Sequence, residues 1–412
     1  MSRGKIVRRL ALGLIGFGTL AFGLVLSGPA TAENVKLGIL FGVTGQFAGF
    51  VPPLLDAVKL AVDEVNTNGG LLKGQKLQTI LADTQGTSQG GIAAATKLVK
   101  TENVVAVVGA NTSLATIAAA HAVTVPNGVL LVSPSATATV LTTMEDKDFV
   151  FRVAPSDAHQ GWVMAKLAHS QGLTQVALTY VDTDYGSGAQ DTFRYNFELF
   201  GGNITFAQVH EANKTSYIPE LTALTQHNPQ ALVVIAYAAS GGATIIKQSL
   251  ANGFFKQFIG PYSMMDPLLI KEVGADKLKG MFFTAPTIDP STSAAQKFQK
   301  MYDAAYKTTE GKLFVARTYD AVMLTALAIE QAGSTDRTKI RDALRQICCA
   351  PGEVIEPGEW AKAKADIAAG KKINYEGASS NCDFDEYGDV TGVYGRYIVE
   401  NGAFKQVELL KP

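Results

Sequence analysis

Small hydroxyl residues follow two apolar runs of the sequence that are typical of buried strands. The run VVAVVG is followed within a few residues by Ser113, and the run VLLV, which ends at Val132, is followed by Ser135, Ala136 and Thr137. Hydroxyls, backbone N–H groups and helix N-termini together suit an anionic group such as a carboxylate. Ser113 and Thr137 can each also be simple helix caps. Their joint placement favours a site for a small polar ligand.

Tyrosines end the later apolar runs of the chain. Tyr185 follows ALTYVD, Tyr237 follows VVIA, and Tyr262 follows QFIG. Ligands of open parallel sheets bind at the carboxyl ends of the strands. We therefore expect these tyrosines and the hydroxyl residues to line one site with few charges.

The usual signatures of catalysis are missing from the sequence. No G-x-S-x-G elbow, H-E-x-x-H motif or phosphate-binding loop follows residue 32. We predict no enzyme, no metal and no cofactor. An exported hydrolase that uses Ser135 or Ser240 is an alternative, but it needs a base within hydrogen-bond reach, and no histidine stands among the strand-end residues.

The elements that must position these residues alternate along the chain. VKLGILF reads as a strand, residues 53–66 as a helix, and further strand and helix patterns follow until the series restarts near Val153. Such alternation predicts an α/β fold of two doubly wound parallel sheets. The chain closes with alternating segments around Asn401-Gly402, which predicts a β-hairpin.

Composition and the first residues predict an exported, soluble protein. The 412 residues are 47% hydrophobic and 18% charged with a net charge of −1, which disfavours nucleic acid as a partner. Arg3, Lys5 and nearby arginines precede an apolar run and then Ala30-Thr31-Ala32. This order is typical of a signal peptide, residues 1–32, with cleavage after Ala32.

Three cysteines occur late in the chain, at positions 348, 349 and 382. Export to an oxidising compartment permits a disulfide. Because neighbouring cysteines rarely bridge each other, we expect Cys382 to pair with Cys348 or Cys349, with the choice between them open.

Taken in order, several motifs resemble one known family. LFGVTGQFAGF, VVGANTS, LLVSPSAT, FRVAPSDAHQG, DYGSGAQ and RTYDAVMLTALA are similar to segments of type I periplasmic substrate-binding proteins of the branched-chain amino acid class. The resemblance covers essentially all of the chain after residue 32. It implies a periplasmic monomer that serves an ABC permease and its ATPases.

The resemblance also implies two lobes that close on the ligand about three hinge crossings. We expect residues 33–153 plus 286–385 in one lobe and 154–285 plus 386–412 in the other. The residues that the resemblance places around the ligand are Ser113 and Ser135 on its carboxylate, Thr137 there as well, Tyr185 and Tyr237 from the second lobe, and Phe50 and Phe314 on its apolar part.

One position departs from the family pattern. Amino acid binders of the family place an acidic residue after the Gly-Pro pair that here precedes Tyr262, and that acid pairs with the ligand ammonium. Asp184, Asp266 or Asp320 can substitute for it. Alternatively, the ligand is an aromatic or short aliphatic carboxylate or an amide without an amine. A periplasmic sensor that partners a kinase is a further alternative to transport.

Overall fold

The computed structural model describes residues 33–45, 48–306 and 313–410. The predicted signal peptide and its cleavage site lie outside the described residues. Among the described helices, none combines the length and the apolar character that a membrane span requires.

The strands form two large sheets and one small sheet. They are β1 (Val35–Phe41), β2 (Leu77–Asp83), β3 (Ala106–Gly109), β4 (Leu130–Ser133), β5 (Val150–Arg152), β6 (Gln175–Val181), β7 (Asn203–His210), β8 (Ala231–Ile235), β9 (Phe258–Pro261), β10 (Phe282–Thr287), β11 (Glu353–Ile355), β12 (Ile373–Tyr375), β13 (Val393–Glu400) and β14 (Ala403–Leu410).

The α-helices alternate with these strands through most of the chain. They are α1 (Val51–Thr67), α2 (Ser88–Thr96), α3 (Ser113–Ala119), α4 (Val140–Thr143), α5 (Asp157–Ser170), α6 (Asp184–Leu199), α7 (Ile218–Leu224), α8 (Gly242–Asn252), α9 (Pro267–Val273), α10 (Ser293–Ala305), α11 (Val315–Ala332), α12 (Arg337–Ile347) and α13 (Trp360–Ala368).

The first sheet has five parallel strands in the order β2-β1-β3-β4-β5. Its central strands are buried on both faces, as expected where helices cover a parallel sheet. Side chains from α1, α11 and α13 pack on one face, and the core there includes Tyr319 and Trp360.

The second sheet has seven strands in the order β14-β13-β10-β9-β8-β6-β7. Its β6 to β10 pairs are parallel, and the hairpin β13–β14 joins the β10 edge in antiparallel fashion. Asn401 and Gly402 both have positive φ at the tip of this hairpin, which matches a tight primed turn. The predicted hairpin and α/β class are therefore confirmed, with a mixed second sheet.

The chain passes between the two sheets three times. It leaves the first sheet after β5 and enters the second at β6. After β10 it returns to helices that pack on the first sheet, and it enters the second sheet again at β13. The first passage ends where α5 begins at Asp157. The exact lobe boundaries given by the sequence stay a prediction.

The segment from residue 348 to 385 carries more structure than its composition suggests. Besides the helix α13, it contains the parallel pair β11–β12. The expected disulfide from Cys382 is not formed, since all three cysteines of the described chain are free thiols. Cys348 Sγ lies 2.8 Å from Cys349 Sγ, whereas Cys382 Sγ contacts the Ser380 carbonyl at 3.5 Å.

Candidate ligand-binding site

At the carboxyl end of the first sheet, serine hydroxyls accept hydrogen bonds from the backbone N–H groups that follow β4. Ser133 Oγ accepts from Ala136 N at 3.0 Å. Ser113 Oγ accepts from Thr137 N at 3.2 Å and from Ala138 N at 3.1 Å. Two residues that the resemblance places on the ligand carboxylate are thus bonded to each other in this structure, through the Ser113 side chain and the Thr137 N–H.

Neither Ser113 nor Thr137 caps a helix with its side chain, so the simple capping interpretation does not describe them. The cap of α3 is Thr112, and α4 begins after Thr139 without a side-chain cap. Nearby, the Ser135 hydroxyl is buried and has no hydrogen-bond partner in the described part of the chain. This segment therefore holds a donor that the fold itself does not use.

The three predicted tyrosines come together at the carboxyl end of the second sheet. The ring centroids of Tyr185 lie 5.1 Å from Tyr237 and 6.0 Å from Tyr262. The Tyr185 hydroxyl is 2.6 Å from Ser263 Oγ, which donates to the Ala236 carbonyl. Burial raises the pKa of Tyr185 and of Tyr262 well above the usual value, so these hydroxyls are neutral donors and acceptors.

One hydrogen bond connects the two sheets directly at this place. Thr137 Oγ1 lies 2.7 Å from the Tyr262 hydroxyl, and both side chains are buried. The residues predicted after β4 and after β9 are therefore neighbours, although they are 125 positions apart.

Of the two predicted phenylalanines, Phe314 packs on this cluster. The Phe314 ring meets the edge of Tyr262 with centroids 5.3 Å apart. Phe314 and Phe50 also line a cavity of about 740 Å³, together with Met265 and Ile270. A cavity of this size and apolar character is typical of small-molecule sites.

A buried carboxylate that the sequence interpretation missed stands at the start of α5. Asp157 is only 1% exposed, and neither of its carboxylate oxygens has a hydrogen-bond partner of normal geometry among the described residues. Its backbone N–H donates to the Thr137 carbonyl at 2.8 Å. Burial raises the pKa of Asp157 to about 7, while the nearby Thr137 hydroxyl and the Arg152 guanidinium oppose that rise.

The Arg152 guanidinium is committed to other partners. It forms a bidentate ion pair with Asp389, with Nε–Oδ1 and Nη2–Oδ2 distances of 2.5 and 2.6 Å. Its Nη1 donates to the Ala138 carbonyl at 2.8 Å. Asp157 therefore lies within the field of a cation without pairing with it.

The three acids named from the sequence as substitutes are differently placed. Asp184 is exposed in the first turn of α6, and Asp266 caps α9 by accepting from Leu268 N at 2.7 Å. Asp320 accepts four hydrogen bonds from residues 375–379. The signal for Asp157 was its position just after the first passage between sheets, where FRVAPSDAHQG reads as an ordinary helix start.

Comparisons with a family model and with individual proteins identify the same family. The family described as periplasmic binding protein matches residues 34–364. A leucine-, isoleucine-, valine-, threonine- and alanine-binding protein of Pseudomonas aeruginosa is 26% identical over 330 residues, which are 80% of this chain and 87% of that protein. A Leu/Ile/Val-binding protein of Rhizobium johnstonii is 30% identical over 316 residues, covering 75% of this chain and 82% of that protein.

The solved structures agree with the sequence comparison. The crystal structure of a leucine-binding protein from Thermotoga maritima has a TM-score of 0.78 and 26% identity to this chain. It covers 92% of this chain and 99% of its own.

Proposed function

The chain belongs to the periplasmic binding protein family, and from that premise we propose that it captures a small carboxylate-bearing ligand for an ABC importer. A branched-chain or related amino acid is the first candidate, because the relatives named above bind such amino acids. The chain is a solute-binding protein and not an enzyme, so the alternative of a hydrolase built on Ser135 or Ser240 is wrong.

The observation that carries this proposal is the meeting of the two sheet ends. The Thr137 and Tyr262 hydroxyls are 2.7 Å apart, and the Tyr185 and Tyr237 rings lie beside them. A ligand that bonds to both sides favours the closed arrangement only by its differential affinity for it. Polar side chains from both sheets at one point provide this differential affinity.

The carboxylate is proposed to bind at the end of β4. It takes over the Thr137 N–H from Ser113 Oγ and receives a further hydrogen bond from the buried Ser135 hydroxyl. Both donors are then satisfied by a charged acceptor, which makes stronger hydrogen bonds than a neutral hydroxyl. The Ser113 hydroxyl, once released, can donate to the same group.

In the cell, we place the protein in the periplasm, released by cleavage after Ala32. It delivers the ligand to a membrane permease whose ATPases drive import. The apolar cavity beside Phe50 and Phe314 accepts the side chain of the ligand.

A second candidate ligand is a carboxylate without an amine, such as an aromatic or short aliphatic acid. The observation that favours it is Tyr262, which replaces the acid expected after the Gly-Pro pair and which packs on Phe314 at the cavity wall.

A thermal-shift screen followed by calorimetry tests the proposal. L-leucine is compared with isopentylamine, which keeps the side chain and the amine but lacks the carboxylate. A carboxylate-bearing ligand at one hundred times its Kd stabilises the native state by about 2.7 kcal/mol, whereas isopentylamine leaves the midpoint unchanged. The screen adds valine, isoleucine, phenylalanine and benzoate. Stabilisation by isopentylamine equal to that by leucine, or no response to any carboxylate, overturns the proposal.

A further inference from the structure

The Arg317 side chain is a buried cation that forms no ion pair with a carboxylate of the described chain. It lies in the first turn of α11, and the residue is only 3% exposed. Its Nη2 donates to the Thr287 carbonyl at 3.0 Å, whereas its Nε is buried and has no hydrogen-bond partner among the described residues. A guanidinium carries five N–H donors, so the described contacts use little of its hydrogen-bonding capacity. Burying such a cation is costly unless an anion pairs with it.

The polar groups around Arg317 are committed to other partners. Asp320 interacts with it electrostatically, but its carboxylate already accepts four hydrogen bonds from other residues. The Tyr397 hydroxyl donates to Thr287 Oγ1 at 3.0 Å, and Thr287 Oγ1 donates to Gln406 Oε1 at 3.1 Å. Burial lowers the pKa of Arg317, but a guanidinium stays charged near neutral pH. The described neighbours therefore leave this positive charge without a direct counter-charge.

Arg317 lines the same cavity of about 740 Å³ as Phe50 and Phe314. The Phe314 ring connects Arg317 to the strand ends, because its centroid lies 5.3 Å from that of Tyr262 and 5.9 Å from Arg317 Cζ. A cavity of this volume holds ligands larger than a branched aliphatic side chain. The acid among its described lining residues, Asp266, caps α9. The cavity therefore has room for a longer ligand and a cation on its wall.

We propose that Arg317 forms a second anion-binding subsite of the ligand cavity, and that the ligand carries a second carboxylate or comparable anionic group at its far end. This inference rests on the proposed function and names what the far end of the ligand carries. A carboxylate accepts two parallel N–H bonds from a guanidinium, and the buried Nε offers one of them. The ligand is then held after β4 at one end and on α11 at the other. A branched aliphatic amino acid has no group for the second point.

Matched acids test the inference on the wild type. Hexanoate and adipate, heptanoate and pimelate, octanoate and suberate, and decanoate and sebacate each differ only by a terminal methyl or carboxylate. Hydrogen bonds to a charged group predict that the diacid of the length that reaches Arg317 binds at least about tenfold more tightly than its monoacid. Calorimetry measures each affinity. If monoacids bind and no diacid exceeds its monoacid partner at any length, the inference is overturned and carboxylate capture stays intact.

Arg317→Met assigns the preference to this side chain, because methionine has a long side chain with neither charge nor N–H donor. The variant should lose the advantage of the diacid and keep the wild-type affinity for the monoacid. Arg194→Met, at a half-buried arginine of α6 that does not line the cavity, is the control that keeps the wild-type preference. Urea unfolding without ligand verifies that each variant is folded. Equal weakening of both acids in folded Arg317→Met overturns the inference, because the residue then acts through the fold.

A free anion is the other source of the same chemistry at Arg317. Octanoate binding is therefore measured with and without sodium sulfate at constant ionic strength. An affinity that rises with sulfate in the wild type, but not in Arg317→Met, assigns the subsite to a free anion and overturns the inference. We expect an unchanged or lower affinity. If no monoacid or diacid binds to the wild type at all, the proposed function itself is overturned.

Discussion

Two buried carboxylates of this protein have opposite surroundings. Asp320, on α11, is fully buried and accepts hydrogen bonds from Tyr375, Ala378 and Ser379 at 2.6–2.8 Å. Asp157, at the start of α5, is almost as buried and has no such acceptor bonds within the described chain. Burial raises the pKa of both; hydrogen bonds from Ser379, Ala378 and Tyr375 oppose that rise at Asp320, whereas the Thr137 hydroxyl and Arg152 oppose it at Asp157.

The difference separates a carboxylate that holds the fold from one whose oxygens make no hydrogen bond within the described chain. The bonds to Asp320 fix the segment from residue 375 to 379 against α11, next to the first sheet. Glu64 has a similar task, because it accepts from the backbone N–H groups of Gly358 and Trp360. A buried acid without partners destabilises the free protein, and such a cost persists where function uses the group.

The largest expected effect is on stability, from Asp320→Asn. An amide keeps at most two of the four acceptor bonds, and each bond to a charged group is worth about 1.5–3 kcal/mol. We expect the free energy of unfolding to fall by roughly 3–6 kcal/mol. Urea unfolding followed by circular dichroism measures this loss. The matched comparison is Asp157→Asn, at the other buried aspartate. A loss below about 1 kcal/mol contradicts a structural role for Asp320.

The next largest effect is the change in the free energy of unfolding caused by Asp157→Asn in the absence of ligand. We expect this variant to be more stable than the wild type near neutral pH, whereas Asp320→Asn is less stable. The pKa of Asp157 is about 7 in the native state against 3.8 for an ordinary aspartate, so between these pH values the native state binds more protons than the unfolded chain. The free energy of unfolding of the wild type therefore falls as pH rises through this window, by up to about 4 kcal/mol. Below pH 4 this contribution to stability is fully present.

Asp157→Asn removes that pH dependence, so its stability minus that of the wild type should rise between pH 4 and pH 7. Urea titrations of both ligand-free proteins at several pH values measure the difference, which cancels the contribution of other groups. A variant that is less stable than the wild type at pH 7.5 indicates that the carboxylate holds the fold, and the contrast with Asp320 then disappears.

Sequence patterns predict the fold well where they are local or repetitive. Asn401-Gly402 between alternating segments is sufficient for the hairpin β13–β14, and the strand and helix alternation is sufficient for two parallel sheets. The pair β11–β12 was missed because three-residue strands are too short for a period-two pattern, and because α13 lies between them in the chain.

The position of these residues at the ends of strands is predictable from the sequence, but their hydrogen bonds are not. A parallel sheet brings its own strand ends together, but Thr137 and Tyr262 follow strands of different sheets, so only the resemblance grouped them around one ligand. Whether the carboxylate of Asp320 or Asp157 receives hydrogen bonds depends on residues far along the chain. The partners of Asp320, for example, lie 55 to 59 positions away. No local pattern distinguishes the two aspartates.

A smaller loss of stability is expected when Asp320 loses a single hydrogen bond. Tyr375→Phe removes one of the four bonds to Asp320 and keeps the buried ring. We expect a loss of about 1.5–3 kcal/mol in the free energy of unfolding, with leucine affinity unchanged at temperatures where the variant is folded. Urea unfolding measures the loss of stability, and calorimetry measures the leucine affinity. A changed affinity at full folding contradicts the separation of the two regions.

The smallest effect is expected from Tyr262→Phe, the matching change on the ligand side. It removes the hydroxyl that lies 2.7 Å from Thr137 Oγ1 and keeps the ring that packs on Phe314. A net hydrogen bond is worth about 0.5–1.5 kcal/mol, so leucine affinity should fall by about two- to tenfold, measured by calorimetry. Stability without ligand should change less than with Tyr375→Phe, because both Thr137 and the ring keep other contacts. If Tyr262→Phe unfolds the protein as readily as Tyr375→Phe and leaves affinity unchanged, the bond between the sheets belongs to the fold. The strand ends would then need another explanation for their hydroxyls.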